Sequence, residues 1–229
     1  MAAGEGTRLR PLSERWAKPI LPIDGRPVIA ALLRELAAAG CGRATVVTGH
    51  LAAQVERLVG GDGAFGLPVE FVRQPRADGS ADAVARALEA GVEVPCLVTA
   101  ADTVYTPGDV RRFVEAFASS GADSALAVRR DPAPRPPHRF AVGIEDGRVT
   151  RVRDPDYENP FASAPLWGLG PAAARHLRVD TVPYELASTF QRTIDEGARV
   201  AAIEIGPTRD LTHPVDLVEE NFPYLNAYE

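Results

Sequence analysis

The chain has 229 residues, enough for one domain of ordinary size or one domain with a small added lobe. Apolar residues make up 45% and charged residues 24%, which supplies a core and excludes a disordered chain. The net charge of −6 carries no basic block with it, which argues against a nucleic-acid surface and requires any anionic substrate to meet locally concentrated positive charge.

The chain opens on Gly4-Glu5-Gly6-Thr7-Arg8-Leu9-Arg10-Pro11-Leu12, with Lys18-Pro19-Ile20-Leu21-Pro22-Ile23 close behind. Pro27 suits the first turn of a helix running to about Gly40, with Val28, Ile29, Leu32, Leu33 and Leu36 on one side. Ala44 to Thr48 is a β-branched strand, followed by a helix near Leu51 to Val59. Val69 to Val72 reads as a strand, and Ser80 is expected to cap a helix through Leu88. Cys96 to Thr99 is a buried strand, and Thr106-Pro107 with Asp109 opens the next helix in cap, proline and acidic-turn order. This β-α rhythm implies a parallel sheet covered on both faces.

Beyond residue 120 the pattern changes. Ser124 to Val128 is a strand, and the proline-rich run Asp131 to Pro137 reads as a surface loop. Phe140 to Ile144 and Arg148 to Val152 flank Glu145-Asp146-Gly147, a hairpin signal. A helix near Tyr184 to Glu196, a strand at Val200 to Ile205 and a helix from Pro214 close the chain.

The opening loop carries the most chemistry. Two glycines around one residue let backbone amides approach a phosphate, and Thr7, Arg8 and Lys18 add donors and charge. It is not a Walker loop, and Leu9 stands where a dinucleotide fingerprint needs its third glycine. Arg8, Arg10, Arg15 and Lys18 are the local positive charge that the acidic composition demands. Lys18 is the single lysine among 25 basic residues, pointing to a specific need for a compact ammonium. Asp102 lies just past a strand, at the sheet edge where open α/β folds bind ligands. Cys41 and Cys96 lack metal or redox spacing and read as free thiols, and the four histidines are scattered. No apolar run approaches the ~20 residues of a membrane span. With no signal peptide visible, a cytoplasmic protein is expected.

The string G-x-G-T-R-L-x-P-L followed by K-P-x-L-P-I resembles the signature of the nucleotidyltransferases that make nucleoside-diphosphate sugars. The resemblance runs over nearly the whole length. It implies an α/β fold: a Rossmann-like, mostly parallel sheet flanked by helices, with a smaller β-rich sugar-side lobe. A nucleotide-binding part is expected over residues 1–120 and a sugar-side lobe with the closing elements over 121–229. Sequences with this signature place an apolar strand before the Ala-Ala-Gly. Here Met1 stands directly before Ala2-Ala3-Gly4, and a chain lacking that strand is the expectation.

The resemblance also implies roles. Ala3, Gly4, Gly6 and Thr7 belong to the phosphate loop, with Arg8 and Lys18 as the catalytic cations. Asp102 and Asp210 take the places of carboxylates that hold Mg²⁺, a hard cation suited to oxygen ligands. Residues 74–83 resemble the base-reading segment, in which the Gln74 amide matches a pyrimidine edge and Gly79 lets the ring lie on backbone. This segment is closer to thymidylyl- and uridylyltransferases than to purine-selective enzymes. Asp154, Trp167 and Glu185 are the sugar-side candidates, each with an alternative as turn, core or helix-start residue. The expected reaction joins dTTP or UTP to a sugar 1-phosphate, releasing pyrophosphate.

A cytidylyltransferase acting on phosphocholine or inositol phosphate is the alternative enzyme. A non-catalytic nucleotide-binding paralogue is the alternative of another class, although it would be expected to lose Arg8, Lys18 or an aspartate. Neither nucleic acid nor membrane is an expected partner, and a homo-oligomer is left open.

Overall fold

The computed structural model describes residues 1–60, 65–131, 141–156, 158–179 and 181–222. The first half of the chain carries α1 (Leu12–Arg15), β1 (Pro22–Ile23), β2 (Arg26–Pro27), α2 (Val28–Ala38), β3 (Ala44–Thr48), α3 (Ala52–Val59) and β4 (Val69–Arg73). Next come α4 (Ser80–Glu89), β5 (Cys96–Thr99), β6 (Thr103–Tyr105), α5 (Asp109–Ser120) and β7 (Ser124–Arg130). The remainder holds β8 (Ala141–Glu145), β9 (Arg148–Asp154), β10 (Phe161–Leu169), α6 (Pro171–Ala174), α7 (Leu186–Asp195), β11 (Val200–Glu204), β12 (Thr208–Asp210) and α8 (Asp216–Glu219). These elements form two compact units. No helix among the described residues is long and apolar enough to cross a membrane.

The first unit comprises Met1–Ala77, Ala100–Tyr105 and the segment from Thr208 onward. Its helix α2 buries Val28, Ile29, Leu32, Leu33 and Leu36, the stripe read from the sequence. Gly40 stops it: with φ +87° it takes the left-handed position after the cap, and the Cys41 amide donates back to the Leu36 carbonyl at 3.1 Å. Strands β3 and β4 pair in parallel, Ala44 opposite Val69 through Thr48 opposite Arg73. The chain start lies along β3. The Ala2 amide donates to Val47 O at 2.7 Å, and the Ala101 amide donates to Met1 O at 2.8 Å. Strands β6 and β12 pair antiparallel, with Thr103 opposite Asp210.

The second unit comprises Asp78–Thr99 and Thr106–Pro207. Its six-stranded mixed sheet runs β5-β10-β7-β11-β9-β8. β7 lies inside it, with Ser124 to Val128 all buried, as a strand flanked on both edges and covered on its faces requires. Phe113 of α5 and Phe190 of α7 are fully buried on this unit's core. The predicted hairpin forms between β8 and β9. Asp146 and Gly147 have φ +48° and +71°, the pair of left-handed positions a two-residue turn needs.

Several local expectations are corrected. Ser80 does not cap α4: Gly79 occupies that position, and the Ser80 hydroxyl instead accepts the Leu186 amide at 2.9 Å, capping α7. Likewise Gly108, at φ +86°, is the cap of α5, while the Thr106 hydroxyl donates to Pro207 O. The nine-residue strand β10 was not foreseen, because Pro165 interrupts its pattern. The β7–β10 register shifts between Ser163 and Trp167, which is how a proline fits there. The proline-rich loop beyond Asp131, with Phe140, lies outside the described residues.

Candidate functional site

Within the first unit, the glycine loop is built around one left-handed residue. Gly6 has φ +61° and ψ +40° and starts a 3₁₀ turn, Thr7–Leu9, in which the Leu9 amide donates to Gly6 O at 2.9 Å. A side chain at Gly6 would also crowd Ser13 Cβ at 3.3 Å, so glycine suits both the dihedral and the space. Gly4, Thr7 and Arg8 are exposed, while Ala3 is buried and Leu9 fully so. Among the described residues Arg8 has no carboxylate partner, whereas Arg10 lies 3.7 Å from Glu5.

A second 3₁₀ turn, Lys18–Ile20, presents the lysine. Lys18 Nζ is ion-paired with Asp102 Oδ2, and the two side chains are only 14% and 27% exposed. Asp102 sits between the buried Ala101 and the buried Thr103 at the start of β6. Across the β6–β12 ladder, Asp210 pairs with Thr103, so the two aspartates occupy neighbouring positions on adjacent segments. Asp210 is exposed, while Arg209, facing the other way along the strand, is held by Glu220 at 2.6 Å and Asp24 at 2.9 Å. Those partners, the hydrogen bond to Asp24 foremost, raise the Arg209 pKa further above its ordinary value.

One apolar cluster ties these segments together. Leu9, Leu21, Ile23, Val28 and Leu211 pack as a buried group, with Val104 and Leu217 against it. Leu9 adjoins Arg8, Leu211 adjoins Asp210, Val104 is two residues from Asp102 and Leu21 three from Lys18. Burial of each apolar neighbour fixes where the polar residue emerges. Asp216, at the start of α8, accepts the Thr212 and His213 amides at 2.6 and 2.7 Å and so shapes the turn after Leu211.

Sequence reasoning missed the residues that brace this loop. His50 Nε2 lies 2.8 Å from Ser13 O, so the ring donates there. Gln54 of α3 accepts the Ala17 amide at 2.9 Å and donates to Arg15 O at 2.7 Å. Gly49 lies against the loop's root: a Cβ there would stand 2.7 Å from Ala3 O. The signal was Thr48-Gly49-His50, a second glycine turn directly after a strand. Gln74, buried at the end of β4, donates its backbone amide to Thr48 O at 2.8 Å.

Gly79 belongs to the second unit, where it adopts φ +111° and lies directly on the Tyr184 backbone. Tyr184 N donates to Asp78 O at 2.7 Å and Ala81 N to Tyr184 O at 2.8 Å, clamping the segment. Ser80 Oγ donates to Glu185 Oε2 at 2.9 Å, which brings those two residues together. Asp154, by contrast, organises its own turn: its carboxylate accepts the Asp156 amide at 3.1 Å and Asn159 Nδ2 at 3.2 Å. Trp167 lies half-buried on β10, opposite Val98 on one side and Leu126 on the other.

Asp102 and Asp210 fit a hard divalent cation in donor chemistry. Both offer carboxylate oxygens, and Asp102 already holds a cation, the Lys18 ammonium.

Known proteins share this chain's sequence pattern and fold. A family model described as nucleotidyl transferase matches residues 1–153. The whole chain is 29% identical over 250 residues to a glucose-1-phosphate thymidylyltransferase of Streptomyces antibioticus, of whose length it spans 66%. It is 27% identical over 228 residues to a UTP--glucose-1-phosphate uridylyltransferase of Haloferax volcanii, covering 94% of this chain and 91% of that one. Its fold is that of a solved UDP-glucose pyrophosphorylase complexed with UDP-glucose, with a TM-score of 0.83 at 19% identity, covering 99% and 97% of the two chains. The chain belongs to the nucleotidyl transferase family.

Proposed function

We propose that this chain transfers a nucleotidyl group from dTTP or UTP to a sugar 1-phosphate, forming a nucleoside-diphosphate sugar and pyrophosphate. The observation that carries the reading is the single buried cluster of Leu9, Leu21 and Leu211 with Val104, which holds the segments bearing Arg8, Lys18, Asp102 and Asp210 in one unit. The names of the thymidylyl- and uridylyltransferase relatives support the choice of base and acceptor.

The chemistry needs no protein nucleophile. A phosphate oxygen of the sugar 1-phosphate attacks the α-phosphorus, and the bond to the β-phosphate oxygen breaks with pyrophosphate as leaving group. Catalysis is then positioning and charge neutralisation. The amides of Gly4 to Thr7 and the guanidinium of the exposed Arg8 bind the β- and γ-phosphates. Lys18 meets the charge that grows at the α-phosphate. Asp102 and Asp210 would hold Mg²⁺, which would supply charge neutralisation for the triphosphate. By the resemblance, Gln74 is assigned to the pyrimidine edge and Gly79 to the base. Glu185 and Asp154 are assigned to sugar hydroxyls, with Trp167 as an apolar neighbour of the sugar.

The test is a panel of dTTP, UTP, CTP, GTP and ATP against glucose 1-phosphate, other sugar 1-phosphates, phosphocholine and inositol 1-phosphate, read as pyrophosphate release with Mg²⁺. Turnover confined to a pyrimidine triphosphate with a sugar 1-phosphate is the expected outcome. Turnover only with CTP and an alcohol phosphate would replace this reading with the cytidylyltransferase one, and none on any pair would overturn it.

A further inference from the structure

Lys18 and Asp102 are ion-paired in a partly enclosed position. The Met1 amino group also feels the Asp102 charge, although burial pushes its pKa down to about 6 and favours its neutral form. Asp102 is also the carboxylate assigned to the metal. A carboxylate oxygen committed to an ammonium is not free for a divalent ion at the same place, and the two cations repel each other at close range. Lys18 has nowhere to relax within its own backbone: its turn is fixed by Leu21 N to Lys18 O at 3.1 Å and by Gln54 on Ala17. Its four-carbon stem, however, leaves the ammonium free to swing.

We propose that Lys18 is a positioning residue for the metal site as well as the cation for the phosphate. In the substrate-free protein its ammonium occupies Asp102 in place of the metal, and metal entry releases it. Lys18 is thereby delivered to the phosphates only when the divalent ion has arrived, and the partly enclosed Asp102 carboxylate is neither left without a close cation nor shared by Lys18 and the metal. This rests on the nucleotidyl-transfer reading for the identity of the metal. The exchange of cations on Asp102 is a separate physical claim.

The chain's single lysine makes the exchange directly observable, because lysine labelled with ¹³C and ¹⁵N gives one side-chain resonance from the whole protein. Mg²⁺ alone, without nucleotide, is the probe. The expected result is a saturable shift of the Lys18 Nζ–Cε signal on Mg²⁺ addition, absent in Asp102→Asn. In parallel, calorimetric titration with Mn²⁺ should give Lys18→Met at least about tenfold tighter binding than wild type, since the competitor is gone; ~1.4 kcal/mol corresponds to that factor. Should Lys18→Met fail to fold, the resonance experiment on the wild-type chain still decides.

A Lys18 signal that stays unmoved through a Mg²⁺ titration while calorimetry shows Mn²⁺ binding to the same protein would overturn the proposal, as would equal or weaker Mn²⁺ binding in folded Lys18→Met. Failure of the activity panel would instead strike the nucleotidyl-transfer reading, and would leave a metal-dependent lysine shift standing.

Discussion

Gln54 grips Ala17 from the neighbouring helix: its Oε1 accepts the Ala17 amide at 2.9 Å while its Nε2 donates to Arg15 O at 2.7 Å. The residue next to Ala17 is Lys18, so this amide is the last fixed point before the ammonium. Gln54→Ala removes both bonds and should cost about 1–2 kcal/mol of stability, at the usual ~1 kcal/mol per hydrogen bond. The larger effect is expected on kcat, because a displacement of about 1 Å at a catalytic group costs ~10²-fold. Denaturant melts and pyrophosphate-release rates on the same preparations measure both. A variant with unchanged kcat would show that Lys18 is positioned without this brace.

Gly49→Ala tests the root of the phosphate loop. The added methyl would stand 2.7 Å from Ala3 O and 2.9 Å from Ala3 Cβ, closer than such atoms approach, and backbone must yield. Overpacking of this kind costs about 1–3 kcal/mol. Because the residue that yields is Ala3, triphosphate affinity should fall along with the melting temperature. Calorimetric binding of the triphosphate by the folded variant measures it, and wild-type affinity would mean the loop tolerates the shift.

These two braces mark where legibility in the sequence stopped. Lys18, Asp102 and the glycine loop were readable because their chemistry is local: a unique lysine, a strand-end aspartate, glycines with a charge behind them. Helix α2 was readable because five of its six buried residues are large apolar side chains at helical spacing. His50, Gln54 and Ser80 were not, because each acts on a segment 37 to 106 residues away in sequence. A serine before a helix looks the same whether it caps that helix or another one. Strand β10 was hidden for a different reason: Pro165 belongs to a register shift that only the pairing of β7 and β10 reveals.

Cys96 should be slow towards thiol reagents near neutral pH. Burial on β5 pushes its pKa up to about 11, and the neutral thiol is a poor nucleophile. The folded value lies above the thiol's ordinary 9.0, so the folded state holds the proton more tightly. Its contribution to stability is full below pH 9 and is lost as pH rises towards about 11. Melts of wild type and Cys96→Ala across that range should converge as pH increases. Rapid modification of the folded protein at pH 7.5 would contradict the assignment.

Lys18→Ala should lower turnover by orders of magnitude with the fold intact, each tenfold loss corresponding to ~1.4 kcal/mol of barrier. Lys18→Arg should also be poor, since a planar guanidinium does not reproduce the compact ammonium seated on Asp102. Steady-state kcat for the two purified variants is the measurement, and a rate near wild type for Lys18→Arg would mean that charge alone suffices.

The adjacent residues Asp210 and Leu211 should separate function from packing. Leu211 is 1% exposed within the cluster that also holds Leu9 and Leu21. Leu211→Ala therefore opens a cavity and should cost about 2–5 kcal/mol, lowering the melting temperature and loosening the turn that bears Asp210. Asp210→Asn changes an exposed side chain by one charge, so stability should stay within about 0.5 kcal/mol of wild type. Its expected loss lies in metal dependence: with one carboxylate oxygen set made neutral, half-maximal activity should require severalfold more Mg²⁺. The pair of readouts is a thermal melt and a Mg²⁺ titration of pyrophosphate release. If Asp210→Asn keeps the wild-type Mg²⁺ dependence, Asp102 is the only carboxylate of the two that serves the metal, and the β6–β12 register that sets Asp210 beside Thr103 is structural alone.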